Sequence, residues 1–533
     1  MASTNTSAWS PFRHLSFTVL WAAMLLSNIG GWMHDVGAGW LMTTLNPSPL
    51  LVSLVQAATT LPVFVLALPA GALADIVDRR WFLIAAQLFM TCAALALGLL
   101  VAAGGVTPGS LLAFTVAMGI GTAMVNPAWQ SLVPQLVPRE DLASAVALNS
   151  VGVNVARAIG PALGGLAIVA LGLASPFLLN ALSFVAVIGA LLWWRPSPRA
   201  KHQLPAEAWL AAMRAGMRHA RASPPLNATL VRAIGFLVFA SAYWALLPLI
   251  ARELLRGGAE LYGVLVACIG AGAVGGAVLM PRARRRYGPG PIVFGASVVT
   301  ALMLLSFAFV RIVPLAVVTC VVTGASWIAA VTGFNVSAQM ALPDWVRARG
   351  LALYNAGFSG ALALGSVLWG QVAAVVGTPT ALAVAAGGAL VAALFGARVP
   401  LLAGGELDHT PSSHWPQPVT SMDVAGHRGP VLVLIEYHIE ERRAADFLSA
   451  IAELGAARRR NGAYGWGAYA DAERPDRGVE VFYEDSWLGH LRHHERMSVA
   501  DREIQQRVLA FHLGASPPSV SHFLAMASVA RHQ

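Results

Sequence analysis

The sequence predicts an all-α polytopic membrane protein: twelve transmembrane helices in two pseudo-symmetric six-helix bundles, followed by a C-terminal α+β ferredoxin-like domain. Three observations carry this. First, 57% of the 533 residues are hydrophobic and only 11% are charged, against about 25% charged in soluble domains. Second, the charge is uneven: residues 1–400 hold 22 Lys+Arg and 9 Asp+Glu, and residues 401–533 hold 13 and 17. A basic, apolar body thus carries a mildly acidic tail. Third, the pattern of apolar runs about 20 residues long stops near residue 400, and alternation of β-branched residues begins at Val431.

About 20 apolar residues cross a bilayer. Twelve stretches qualify, near 17–42, 49–74, 81–103, 110–131, 142–171, 175–194, 229–251, 260–281, 291–310, 314–341, 350–376 and 379–398. The loops sort by charge. Those after even-numbered spans hold Arg79/Arg80, Arg139, Arg195 to Arg221, Arg282 to Arg286, Arg347/Arg349 and Arg398, whereas three of the odd-numbered loops have no charge. Basic residues in short loops stay on the cytoplasmic side. The expected placement is therefore a multi-pass protein of the inner membrane with both termini cytoplasmic. The positive balance sits in these loops and points to no nucleic acid. Cys92, Cys268 and Cys320 lie inside apolar runs and behave as small hydrophobes; no metal or cofactor spacing is present.

The expected divisions are a first bundle at 1–194, a central loop at 195–228, a second bundle at 229–399, a linker at 400–429 and a soluble domain at 430–533. Within the central loop, Ala206–Arg221 reads as a helix with Trp209, Met213 and Met217 on one face. The halves repeat each other. Asn126-x-x-x-Gln130-x-x-x-Pro134 matches Asn335-x-x-x-Gln339-x-x-x-Pro343, Asn149 aligns with Asn355, and Gly164 with Gly370. Two repeated bundles with a site between them are the architecture of alternating access.

Gly71, Asp75, Arg79 and Arg80 lie in the hairpin between spans two and three. They resemble the signature loop of the major facilitator superfamily, with Ile76 and Asp78 departing from the pattern. That resemblance implies a cytoplasmic gate, with Asp75 latching the halves. Gly160-Pro161-Ala-Leu-Gly164-Gly165 in span five resembles the motif of drug/proton antiporters in that superfamily, which goes with export. The run from Leu132 through Asn149 and Arg157 to Gly165, together with Gly31–Gly37 and Trp40–Met42, is similar to the enterobactin-exporter-like branch, the transmembrane secretion effectors. The arginine that the superfamily's proton-linked members carry in span four is absent, and Thr115 stands near its place.

Ionisable groups inside spans cost about 2.5–3.5 kcal/mol to insert. Asp35 and His34 in span one and Arg157 in span five are such groups. At 1.5 Å per residue, Asp35 lies about 27 Å and Arg157 about 22 Å from the cytoplasmic end, depths close enough to pair. Asp35 is expected to bind a proton or a cationic part of the substrate, with Arg157 tuning it and His34 sharing the proton. Gln56, Asn126, Gln130, Asn154, Asn335, Gln339 and Asn355 are expected to line the cavity.

The tail reads βαββαβ and resembles the antibiotic-biosynthesis-monooxygenase-like, dimeric α/β-barrel domains. This implies a homodimer through the tail. His490, His493 and His494 lie close on a helix near Trp466, Glu484 and Trp487, and His490 and His494 have the spacing to share a metal. The favoured reading is a solvated helix in a non-enzymatic domain. The function expected of the whole is proton-coupled efflux of a small organic molecule such as a siderophore, drug or secondary metabolite. The alternatives are an importer of the same fold, or a transporter whose tail acts on or senses the cargo.

Overall fold

The computed structural model describes residues 9–195, 217–343, 345–401, 412, 415, 424–474 and 476–526. Among the described residues, twelve helices are long and apolar enough to cross a membrane: α1 (Leu15–Leu45), α2 (Pro49–Ile76), α3 (Arg79–Ala102), α4 (Pro108–Leu132), α5 (Leu142–Leu171), α6 (Ser175–Trp193), α7 (Pro224–Leu249), α8 (Ala259–Tyr287), α9 (Pro289–Phe309), α10 (Val313–Met340), α11 (Arg347–Val376) and α12 (Thr378–Ala397). Most of the expected Ala206–Arg221 helix lies outside the described residues; residues 217–222 are helical.

The chain forms two compact units. The first comprises Met1–Lys201, Leu230–Val336 and Ala352–Leu401. In it, α1 packs on α5 and α6, α3 on α4 and α6, α2 on α4, and α9 on α12. The core of the first six helices gathers Phe17, Leu20, Leu83, Trp129, Phe184 and Leu191, all buried. Exposed Leu, Val and Phe cover the outer faces, among them Leu166, Val169, Leu182, Val278 and Leu364. Such an apolar exterior suits lipid.

The hairpin between α2 and α3 is built from charge. Asp78 caps α3, accepting from the backbone N–H groups of Arg80 at 2.9 Å and Trp81 at 3.1 Å. Arg80 donates from Nε to the Leu191 carbonyl and from Nη2 to that of Leu192, each at 2.7 Å. Arg79 reaches the Ser131 carbonyl at 3.0 Å. Both arginines thus neutralise the carbonyl-bearing C-terminal ends of α6 and α4, where the helix dipole favours a cation.

The second unit comprises His202–Thr229, Ser337–Leu351 and Leu402–Gln533. Its sheet runs β2 (Tyr464–Ala470), β3 (Arg477–Glu484), β1 (Val431–His438), β4 (Ser519–Leu524), with every neighbouring pair antiparallel. The remaining elements are α13 (Ala444–Asn461), α14 (Trp487–Arg496) and α15 (Val499–Leu509). One sheet face, with Val431, Val433, Ile435, Tyr437 and Phe482, packs on Phe447, Ile451 and Leu454 of α13. The strand alternation puts Leu432, Leu434, Val481 and Tyr483 on the other face.

Candidate functional site

Close helix contact sets the geometry of the first unit. A Cβ on Gly160 would lie 2.7 Å from the Trp32 Cβ, and one on Gly164 would lie 2.9 Å from the Met33 Cα. On the other side of α5, a Cβ on Gly165 would meet the Ala259 carbonyl at 2.8 Å, and one on Gly263 the Pro161 carbonyl at 2.6 Å. The Gly160–Gly165 segment therefore touches α1 and α8 at once, joining the halves near the α5–α6 and α7–α8 loops. The matching seam runs between α2 and α11, where a Cβ on Gly360 would lie 2.8 Å from Phe64. Only hydrogen at these Cα atoms allows such approach. By contrast, Gly275 of α8 has open space around it.

Asp35 sits beside this seam. Its side chain is accessible, makes no ion pair among the described residues, and is near enough for its charge to act on the Tyr262 phenol of α8. Tyr262 stacks on Trp40 at 6.4 Å, and its hydroxyl would meet a Cβ on Gly39 at 3.0 Å. A single π-helical turn, Ile250–Leu254, follows Pro248, which also faces Gly39.

The expected Asp35–Arg157 pair does not form. On α1, Trp32 faces Arg157, with the guanidinium 5.6 Å from the indole ring, whereas Asp35 turns toward α8. Equal depth does not bring two side chains together when they leave the helices in different directions. His34 is likewise apart. It is 2% exposed and edge-on to Phe177 of α6 at 4.8 Å, and neither ring nitrogen has a partner. Consecutive helix positions diverge by about 100°, so His34 and Asp35 share no hydrogen bond.

The amides divide. Asn126, Gln130, Asn335, Gln339 and Asn355 are exposed, and Gln56 and Asn154 are half-buried. The Asn154 amide donates to the Ser150 carbonyl of its own helix at 2.8 Å. Thr115 is buried and bonds the Leu111 carbonyl at 2.8 Å. Gly71 and Asp75 fall within α2, and the Asp75 side chain lies outside the described ones.

In the tail, α14 is not solvated as expected: His490 is 1% and His493 0% exposed. Glu484 bonds His493 Nδ1. Burial pushes the Glu484 carboxyl up to about 8. Burial, with Arg458 nearby, pulls His493 down to about 3. His490 Nε2 meets His494 Nε2 at 3.2 Å, and burial with that neighbour pulls His490 down to about 2. A second buried network centres on Glu480, which accepts from Trp466 at 2.9 Å, Tyr437 at 3.0 Å and Arg458 Nε at 3.2 Å. Trp415, from the stretch before β1, lies over Arg458 at 4.6 Å. Among the described residues no cluster of three ligating side chains is placed to hold a metal. A sequence signal for this core existed: Glu480, Phe482 and Glu484 alternate on one strand face, and Trp487, His490 and His493 recur every third residue.

A family profile described as transmembrane secretion effector matches residues 6–530. The chain belongs to the transmembrane secretion effector family. It is a multi-pass transporter of the major facilitator superfamily. It is 23% identical over 356 residues to the staphyloferrin A transporter of Staphylococcus aureus (strain NCTC 8325 / PS 47), covering 66% of this chain and 87% of that protein. A protein of Yersinia enterocolitica named for multidrug resistance, MdtD, is 33% identical over 159 residues, covering 30% of this chain and 32% of that protein. Among solved structures, a bacterial homologue of the iron transporter ferroportin in an inward-facing state has a TM-score of 0.55 at 18% identity, covering 72% of this chain and 97% of that one. The nucleoside transporter NupG has a TM-score of 0.55 at 13% identity, covering 72% and 98%. At these identities the structures establish the fold. The secretion effector family carries the assignment as a transporter.

Proposed function

We propose that this secretion effector exports a small organic molecule, such as a siderophore, drug or secondary metabolite, across the inner membrane in exchange for protons. The observation that carries the reading is Asp35, an accessible carboxylate at membrane depth, unpaired among the described residues, beside the seam between the halves. A carboxylate so placed takes a proton from one side and releases it to the other as the halves rock. Exposed Asn126, Gln130, Asn335, Gln339 and Asn355 suit a water-filled cavity better than lipid. Contact at Gly165–Gly263 favours a cavity closed at the α5–α6 loop and open at the opposite, cytoplasmic face, the face where both termini are assigned. There Gly71, Asp75, Arg79 and Arg80 form the gate, the arginines bracing α4 and α6 while Asp75 acts as the latch.

The staphyloferrin A transporter, by its name, favours a siderophore-like cargo. The tail is assigned to the monooxygenase-like barrel domains in a non-enzymatic role, pairing with a second copy through its open sheet face. Exposed Tyr469, Tyr483 and Phe523 on that face support the pairing. The decisive experiment reconstitutes the protein in liposomes and follows cargo movement under an imposed pH gradient. Asp35→Asn is expected to lose proton-driven transport while retaining insertion; wild-type coupling in that variant overturns the proton role. A labelled cargo that accumulates less in cells lacking the protein identifies an importer instead.

A further inference from the structure

Away from Asp35, the meeting place of the two halves is lined by aromatic rings. On α7, Tyr243 and Trp244 lie 6.3 and 5.7 Å from Trp327 of α10. Trp327 lies 6.0 Å from Phe358 of α11. Trp32 joins the cluster from the first half, 6.3 Å from Trp244, and brings Arg157 with it, the guanidinium 5.6 Å from its ring. Tyr243 is close enough for its phenol to act on the Arg157 charge.

What the cluster lacks is an anionic acceptor. Arg157 Nε is shut off from solvent without a hydrogen-bond partner, and the Tyr243 hydroxyl and Trp244 Nε1, beside each other, have no partner beyond that pair. Guanidinium and indole N–H groups only donate, and the acceptor at hand, the Tyr243 phenol oxygen, is neutral. Arg157 makes no ion pair among the described residues, and the nearest intramembrane acid, Asp35, faces elsewhere. A guanidinium held among neutral rings with its Nε unpaired and no counter-charge carries an uncompensated desolvation cost. A bound anion removes that cost, and the rings around it stack on a flat body.

We infer that this aromatic cluster recognises an organic carboxylate attached to a flat apolar or aromatic body, with Arg157 and Trp244 on the carboxylate and Trp32, Trp327 and Phe358 against the body. The inference rests on the proton-coupled exporter reading. It adds the charge class of the cargo. The same lining repels an organic cation, so selection works by rejection as well as attraction.

The test uses the full chain in lipid nanodiscs and equilibrium dialysis against three isosteric probes, 2-naphthoate, 2-naphthamide and 2-naphthylmethylammonium, with empty nanodiscs as the lipid control. Naphthoate is expected to bind about tenfold or more tighter than the amide, the size of a charged hydrogen bond, and the ammonium more weakly than either. Arg157→Gln is expected to erase the acid-over-amide ratio, and Arg157→Lys to keep part of it. Trp244→Phe retains the ring and removes one donor, and is expected to lower naphthoate affinity alone. Equal binding of the three probes to the wild type, preference for the ammonium, or an unchanged ratio in Arg157→Gln overturns the inference. Selective naphthoate binding without proton-driven movement in liposomes leaves this site standing and sinks the proton-coupled exporter instead, so the two failures are distinguishable.

Discussion

The Arg79–Arg80 pair shows how much a single residue's role depends on where its donors go. The sequence supplied the pair, its loop and its expected side of the membrane. It could not say which carbonyls lay within reach, because those belong to α4 and α6, about 50 and 110 residues away. Arg80 satisfies two carbonyls that α6 leaves unpaired at its end. Arg80→Gln is expected to lower the stability of the first bundle by about 1–3 kcal/mol, the cost of leaving such groups unmet, read as a lower thermal midpoint of the purified protein. Arg80→Lys should recover only part, since a lysine lacks the planar fork. The buried acid and imidazoles of the tail make a prediction of a different kind. Glu484, raised to about 8, holds a proton in the folded state that the unfolded chain releases near the ordinary glutamate value, so its contribution falls as pH rises through that window. His490 and His493, lowered to about 2 and 3, stay neutral when the unfolded chain takes up protons below 6.5, so their contribution falls as pH drops. Together they place the tail's greatest stability near pH 6.5, with a decline of about 2 kcal/mol by pH 8 and a steeper one toward pH 4. Hydrogen exchange at Val433 and Phe482 of the full chain, corrected for intrinsic rates, checks the sign on both sides. A monotonic profile would rule out this assignment of protonation states.

At the scale of elements, the helices were legible because the bilayer imposes one length and one composition on every span. The strands of the tail were legible because a half-buried sheet enforces alternation. The Gly160–Gly165 motif was legible as a pattern. Its two partners were not, since nothing local says that α5 has α1 on one side and α8 on the other. The structure turns that motif into a close-packed helix surface with a test. Gly165→Ala places a methyl against the Ala259 backbone, which cannot retreat without parting α5 from α8, at a cost of about 1–3 kcal/mol for overpacking. Spin labels on the exposed residues Leu171 and Arg256 are expected to report a longer or broader distance in Gly165→Ala than in wild type. Gly275→Ala, with open space around it, is the control and should leave the distance unchanged while gaining helix propensity. The Asp35–Arg157 pairing failed at this same scale: depth along a helix is readable from residue count, but the direction of a side chain depends on how its helix is rotated against its neighbours.

On the scale of the whole molecule, the second unit is more than a tail. It includes residues from the central loop and from the α10–α11 connection, gathered around the ferredoxin-like domain. Arg218 pairs with Asp485 at 2.7 Å and lies over the Tyr464 ring at 5.9 Å. His219 Nδ1 meets the Arg460 carbonyl at 2.9 Å. Trp345 lies edge-on to His219 at 5.6 Å, and Arg496 of α14 covers its ring at 4.0 Å. Under the proposed alternating-access reading, the domain holds two of the connections whose ends shift as the halves rock. The two kinds of contact should differ in weight. The Arg218–Asp485 pair is partly solvated, with side chains 26% and 42% exposed, and surface pairs contribute about 0–1 kcal/mol. Trp345 anchors an aromatic ring between two partners, a cation–π contact of about 0.5–2 kcal/mol plus its packing. Trp345→Ala is expected to speed hydrogen exchange across residues 217–222 more than Asp485→Arg does. The reciprocal double variant Arg218→Asp with Asp485→Arg should return exchange to the wild-type rate. If transport depends on this clamp, Trp345→Ala changes the turnover of reconstituted protein while cargo affinity stays fixed, because Trp345 is not among the rings proposed to hold the cargo. An unchanged turnover, with exchange at residues 217–222 accelerated, would show that the domain binds these loops without governing the cycle.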